Sequence, residues 1–284
     1  KKLGTKCVVD IQDLWPETFR VFFPFKIGMV SFSPIKKYAD TIYHSADALI
    51  AVSETYTKRA LSVCNNNKPF YVLYLGIDLK LFDKYNDNCF PIKKGDNEFW
   101  VIYIGTIGRS YDVKAILNAA ESLKYSQKNM RFFIAGNGPQ LAQMKKIAQN
   151  KKLTNCKFLG FVKFENLVEL LKNSDVGLNA FVKSGKNSFP NKVFDYMAAG
   201  LPIINSIQGE LEQLLKLKNI GIQYEAGNAE SLKDAILELY NNPKMRKEMG
   251  KNARKLVEEK FDKNKTYPKV EKFLQGLVGC GKSS

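Results

Sequence analysis

The chain has 284 residues, a hydrophobic fraction of 45% and a formal net charge of +16. That length suits one large domain or two smaller ones, and the apolar content supplies a proper core. Cys7, Cys64, Cys89, Cys156 and Cys280 are odd in number, scattered and without a C-x-x-C pair, which argues for a reducing compartment without structural disulfides and against a zinc ribbon. No run of about 18 apolar residues marks a membrane span.

The basic excess lies mostly in the second part of the chain, much of it between Lys244 and Lys272. It reads either as the solvated face of helices or as attraction to anionic lipid head groups and polyanionic substrates. Nucleic acid fits less well, because the basic residues are not interleaved with an aromatic binding motif.

In chain order, strands are expected at Cys7 to Ile11, Asp47 to Val52 and Phe70 to Leu75, with helices near Ile35 to His44 and Glu54 to Val63. Three strands are few for an independent doubly wound domain, so an N-terminal portion is expected to be missing. Asp83 to Asn97, rich in Asn, Asp, Lys and Gly, reads as a linker. Beyond it, strands are expected at Phe99 to Ile104, Arg131 to Ala135, Cys156 to Leu159, Val176 to Phe181, Pro202 to Asn205 and Ile220 to Tyr224. Helical periodicity fills the gaps at Val113 to Leu123, Leu141 to Gln149, Glu165 to Leu171, Asn191 to Ala199, Glu210 to Leu215 and Ala229 to Tyr240. Such alternation defines an α/β fold with a parallel sheet covered by helices on both faces. The expected division is 1–82 for a partial first domain, 83–97 for the linker, 98–262 for the second domain, and 263–284 for a returning C-terminal helix and tail.

Several strands end in glycine, and turns at the carboxyl edge of a parallel sheet are where ligands sit. Gly105-Thr106-Ile107-Gly108-Arg109 offers two glycines for close backbone approach and a cation for a phosphate, with a plain tight turn as the alternative. Ala135-Gly136-Asn137-Gly138-Pro139 is a second strand-to-helix turn. Pro190 to Pro202 reads as a short helix entered by Pro190 and closed by Gly200, its Val193, Phe194, Met197 and Ala198 on one stripe and Lys192 with Asp195 on another face. The N-H groups at its start favour an anion; an ordinary capped helix is the alternative. Gly276 to Ser283 matches G-x-x-x-x-G-K-S, yet the residues before it read as helix, so a phosphate loop is not assigned. His44, the only histidine, reads as structural, and no metal site is expected. Asp10 and Asp13 flank a strand end, where they either bind hydroxyls or cap a turn.

Taken together, the Pro190 to Gly200 helix, the turn at Gly105, Ala135 to Pro139, and Ser53-Glu54 through Leu75-Gly76-Ile77-Asp78 with Phe82 resemble retaining glycosyltransferases of family 4, from about Cys7 to about Phe273. The resemblance implies a GT-B fold: two Rossmann-like domains, the C-terminal one holding a nucleotide-sugar and the N-terminal one, here incomplete, the acceptor. Asp13 to Glu17 (D-L-W-P-E) is similar to the branch that builds bacterial surface polysaccharides such as capsule and O-antigen. Asp195 matches the glutamate that binds the donor ribose. Its partner glutamate falls on Asn187, which removes a carboxylate from beside the donor sugar. Thr106 and Tyr111 occupy the slots of the usual loop Arg and Lys, leaving Arg109 and Lys192 to meet the diphosphate. Phe161, after Gly160, matches the base-contacting stretch, and Gln12 matches a histidine beside the sugar.

The implied donor-binding set is therefore Gly105, Gly108, Arg109, Gly136, Phe161, Ser188, Lys192 and Asp195, with Asn187, Gln12 and Asp13 as catalytic candidates. The implied activity is metal-independent, retaining transfer from a UDP- or GDP-sugar, with no further cofactor, to a glycan or lipid-linked acceptor. Its implied place is the cytoplasm, at the inner face of the membrane. A nucleotide-sugar-binding module without turnover is the alternative.

Overall fold

The computed structural model describes residues 5–17, 33–64, 67–85, 90–183 and 188–279. The chain divides into two compact units, one made of Lys1–Gly76, Lys186–Phe189 and Lys260–Ser284, the other of Ile77–Gly185 and Pro190–Glu259.

The first unit holds a three-stranded parallel sheet of β1 (Val8–Ile11), β2 (Ala48–Ala51) and β3 (Phe70–Val72), in that order. All four residues of β2 are buried, as a central parallel strand covered on both faces requires. Helix α1 (Ser33–Ser45) turns Ala39 and Tyr43 inward, and α2 (Glu54–Leu61) turns in Tyr56 and Ala60. Ser53 starts α2 by accepting from the Tyr56 N–H. Helix α11 (Lys263–Gly279) lays Phe273 5.6 Å from Tyr71 of β3. Gly276 lies inside α11, so the phosphate-loop match begins on a helix; its last residues lie outside the described ones.

The second unit opens with α3 (Leu79–Lys84), capped by Asp78. Its sheet contains β4 (Phe99–Ile104), β5 (Met130–Ala135), β6 (Cys156–Gly160), β7 (Val176–Asn179), β8 (Ile203–Asn205) and β9 (Gly221–Gln223), all parallel, in the order β6-β5-β4-β7-β8-β9. The crossover helices are α4 (Val113–Leu123), α5 (Leu141–Asn150), α6 (Phe164–Asn173), α7 (Lys192–Ala198) and α8 (Glu210–Lys218), followed by α9 (Ala229–Asn241) and α10 (Pro243–Lys260). One core runs from Val101 and Tyr103 through Ile116, Leu117, Phe132 and Ile134 to Leu232 and Ile236.

Strand order reverses between β4 and β7, which creates the switch point outside whose carboxyl ends ligands bind. The two strands pair at only Val101–Val176 and Ile102–Gly177.

The described residues of the segment read as a linker are tied into the second unit. Asp83, in the last turn of α3, takes both ends of the Arg254 guanidinium at 2.9 and 2.7 Å; Lys94 meets Asp175 at 2.6 Å. The break between units follows Gly76, whose φ of +59° and closeness to the Phe261 carbonyl leave no room for a side chain.

Candidate functional site

The carboxyl ends of β4, β5 and β6 are closed by three backbone loops zipped together. Gly105 N–H donates to Ala135 C=O at 2.9 Å, Gly136 N–H to Gly160 C=O at 2.7 Å and Ile107 N–H to Asn137 C=O at 2.8 Å. A β-carbon on Gly136, at φ +147°, would overlap the Gly105 carbonyl, and one on Gly138 would overlap the backbone of Ile107. These glycines are required by the loops' mutual approach. Gly105 itself, at φ +122°, is exposed and faces Lys192. Gly108 differs from the expectation set by its motif: it is buried, adopts no left-handed backbone, and packs on Pro139 at ordinary contact distance. Gly105 alone of the pair is exposed.

After β4 the chain at Ser110–Asp112 runs antiparallel to the chain after β7. Val182 N–H donates to Ser110 C=O, Asp112 N–H to Ala180 C=O, and Tyr111 bridges Phe181. Ser206 anchors Phe181, accepting its N–H at 2.8 Å and donating to its C=O at 3.0 Å. This pairing brings Tyr103, Tyr111 and Phe181 together around one side chain, Lys192. Its Nζ lies 4.0, 4.5 and 5.6 Å from the three ring centroids and 3.0 Å from where a β-carbon on Gly105 would lie. Lys192 is 8% exposed, and its Nζ has no hydrogen-bond partner among the described residues. Burial lowers its pKa from the usual lysine value to about 7; Asp195, one turn along the same helix, opposes that without cancelling it. Ring faces offer a cation some attraction, but less than a charge partner would.

The position of Lys192 corrects the helical reading. α7 begins at Lys192, not at Pro190, and spans seven residues; Asn191 precedes it without a side-chain cap bond. Lys192 is not on a solvent face but buried with Val193, Phe194, Tyr196, Met197 and Ala198. Gly200 does take the left-handed position after the helix, at φ +67°.

Tyr196 was not foreseen as a site residue. Fully buried, it accepts the Ile104 N–H at 3.1 Å and donates to the Leu178 C=O at 2.9 Å, joining β4 and β7 where their own pairing has stopped. Its ring packs so tightly on Gly177 that no side chain could stand there. The signal lay in a glycine at the second position of a strand, which marks a close approach. On the other side Asn179 donates to Asn205, and Asn205 to Gln223, each at 2.7 Å, tying together the carboxyl ends of β7, β8 and β9.

The structure gathers Gly105, Gly136 and Lys192 at one edge, with Asp195 on the same helix as Lys192. Arg109 stands exposed on the loop after β4, and Phe161, after β6, is 78% exposed. Ser188 belongs to the first unit, where its Oγ donates to Ser53 Oγ at 2.7 Å. Gln12, just past β1, donates to Asp10 at 2.7 Å, and Asp13 is exposed beside it. Asn187 lies outside the described residues. A cavity of about 340 Å³ lined by Lys145, Lys152, Leu153, Cys156 and Phe158 opens beside the amino end of β6 and contains none of the residues singled out.

Residues 86–256 match the family model described as glycosyl transferases group 1. The chain belongs to the group 1 glycosyltransferase family. It is 25% identical over 245 residues to an uncharacterized glycosyltransferase of Methanocaldococcus jannaschii, covering 86% of this chain and 62% of that protein. It is 24% identical over 236 residues to N-acetyl-alpha-D-glucosaminyl L-malate synthase of Bacillus anthracis, covering 82% and 60%. The chain thus spans about three fifths of the length of these relatives. Among solved structures, Anabaena HepE in complex with UDP superposes with a TM-score of 0.75 at 16% identity, over 95% of this chain and 72% of that one. The fold is accordingly of the GT-B class, α/β with parallel sheets.

Proposed function

We propose that this chain takes part in the transfer of a sugar from a nucleotide-sugar to a glycan or lipid-linked glycan, with retention of anomeric configuration and without a metal. In this reading the carboxyl edge of the six-stranded sheet binds the donor. The observation that carries it is the Lys192 amine, buried without a hydrogen-bond partner among the described residues at the switch point and beside the exposed backbone of Gly105. A buried amine whose charge Asp195 offsets only in part is costly to keep unless an anion arrives to use it. A diphosphate supplies that anion, and the leaving nucleotide's developing charge would be stabilised by the same group.

Arg109 is the second cation for the phosphates, and Asp195 offers a carboxylate to the ribose hydroxyls. The exposed ring of Phe161 stacks on the base. HepE, with which the fold superposes, was solved with UDP, which supports a uridine nucleotide as first choice of donor; GDP is the second. Asn187, Gln12 and Asp13 are retained as candidates for the chemical step, and Ser188 for donor contact. D-L-W-P-E at Asp13 to Glu17 supports an acceptor in surface-polysaccharide synthesis. No helix among the described residues is long and apolar enough to cross a membrane. The lysine-rich second part supports peripheral attachment to anionic lipid from the cytoplasmic side.

Binding without turnover is the second reading, favoured by Asn187 standing where the resemblance calls for a carboxylate. Calorimetry with UDP and GDP tests the site: Lys192→Ala and Asp195→Ala are each expected to weaken binding by about tenfold or more, roughly 1.4 kcal/mol. Unchanged affinity in both variants sinks the assignment. Release of nucleotide from UDP- or GDP-sugar, with and without glycan acceptor, separates turnover from binding alone.

A further inference from the structure

An amine enclosed as Lys192 is must carry either a bare charge or none. The groups packed around it leave little to balance the charge. From β4 comes Tyr103, whose phenol is held neutral by burial while donating to the Thr106 carbonyl at 2.7 Å. From the following loop comes Tyr111; the same loop carries Arg109, which is exposed, and Asp112, whose pKa is raised by its own burial although the Ala115 N–H pulls it down. From the segment after β7 comes Phe181, which does not titrate. Its own helix contributes Tyr196, kept neutral by burial, and Asp195.

Resting on the donor site described above, we propose that occupation of this edge by a nucleoside diphosphate draws a proton from solution onto Lys192, so that nucleotide affinity falls as the pH rises above neutrality.

The geometry gives the reason. Before nucleotide binds, the amine has rings on three sides and no hydrogen-bond acceptor among the described residues, and near neutrality its neutral form is well populated. Phosphate oxygens against the Gly105 backbone would provide the missing acceptor and opposite charge, which favours the ammonium. Whatever raises the proton affinity of Lys192 on binding must, by linkage, strengthen nucleotide binding when the proton is available. The proton comes from the buffer, no covalent bond changes, and the ammonium that results is the form able to stabilise a departing diphosphate.

The test uses UDP-glucose and GDP-glucose, whose diphosphate diesters keep a fixed charge through this range. Calorimetry is run in buffers of different ionisation enthalpy. At about pH 8.5 the expected result is uptake of about one proton per nucleotide bound, with affinity weakening by close to tenfold per pH unit above neutrality. Lys192→Gln should bind more weakly at neutral pH and show neither the uptake nor that slope. Tight binding by the unaltered protein without proton uptake, or uptake that persists in Lys192→Gln, overturns the proposal while leaving the donor site standing. Absence of binding to either nucleotide at any pH removes both.

Discussion

Arg59 and Lys192 are both basic side chains taken largely out of water, one in each unit, and they are treated in opposite ways. Arg59 reaches Glu17 and Asp40 at 2.6 Å each and lies over the Tyr43 ring. Burial alone would lower its proton affinity, but hydrogen bonds to the two carboxylates reverse that, so its pKa is raised. Lys192 has three rings and, among the described residues, no hydrogen-bond acceptor, and its pKa drops to about 7. A compensated cation is a fastener; an uncompensated one awaits something. On the proposed reading, the contrast separates the buried charge that belongs to architecture from the one assigned to a ligand.

Substitutions that remove each cation should therefore move stability in opposite directions. Arg59→Met leaves Glu17 without its counter-charge and Asp40 with Lys36 alone, and should cost about 2–4 kcal/mol, measured by urea unfolding; no loss would make the pair ornamental and dissolve the comparison. Tyr196→Phe removes the hydroxyl that joins Ile104 to Leu178 and strands a buried N–H, an expected loss of about 1–3 kcal/mol together with weaker nucleotide binding. Lys192→Met, by contrast, should stabilise the empty protein by about 1–2 kcal/mol, seen as a rise in Tm of roughly 2–6 °C. A fall in Tm would mean that the amine has a structural partner after all. The smallest effect is expected for Asp83→Ala. Its pair with Arg254 is half exposed on the carboxylate side and Arg254 keeps Glu258, so about 0.5 kcal/mol is expected.

The same contrast has a pH signature. The folded-state pKa of Lys192 lies below its unfolded value of 10.5, so between about 7 and 10.5 the unfolded chain binds a proton that the folded one lacks. Stability of the nucleotide-free protein should rise through that window by this group's contribution, and the rise should vanish in Lys192→Met. Comparing the two proteins' Tm from pH 7 to 9 isolates the term; parallel curves would contradict it.

The alternation of strand and helix was legible because parallel strands such as Val101 to Ile104 are apolar throughout and the helices between them are not. Short, polar elements were harder. Leu79 to Lys84 has a single turn and a half of pattern, and Asp83 within it looked like linker because its partner, Arg254, lies 171 residues away. At the site, the glycines of Gly105 and Gly136 were readable as turn positions. Gly108 carried the same sign but packs on Pro139, a difference only backbone angles reveal. Lys192 was found and its surroundings were not. A helical wheel assigns it a face of its own helix, whereas its burial comes from Tyr103, Tyr111 and Phe181, gathered by the antiparallel pairing of two loops that no local pattern announces.

The central claim is that Lys192 waits, uncharged in good part, for a diphosphate. Titration of the Lys192 side chain by NMR, with and without UDP, reads this directly at the atom concerned. The account predicts a midpoint near 7 in the free protein that moves upward when UDP is added. A midpoint in the ordinary lysine range, unmoved by the nucleotide, would contradict it.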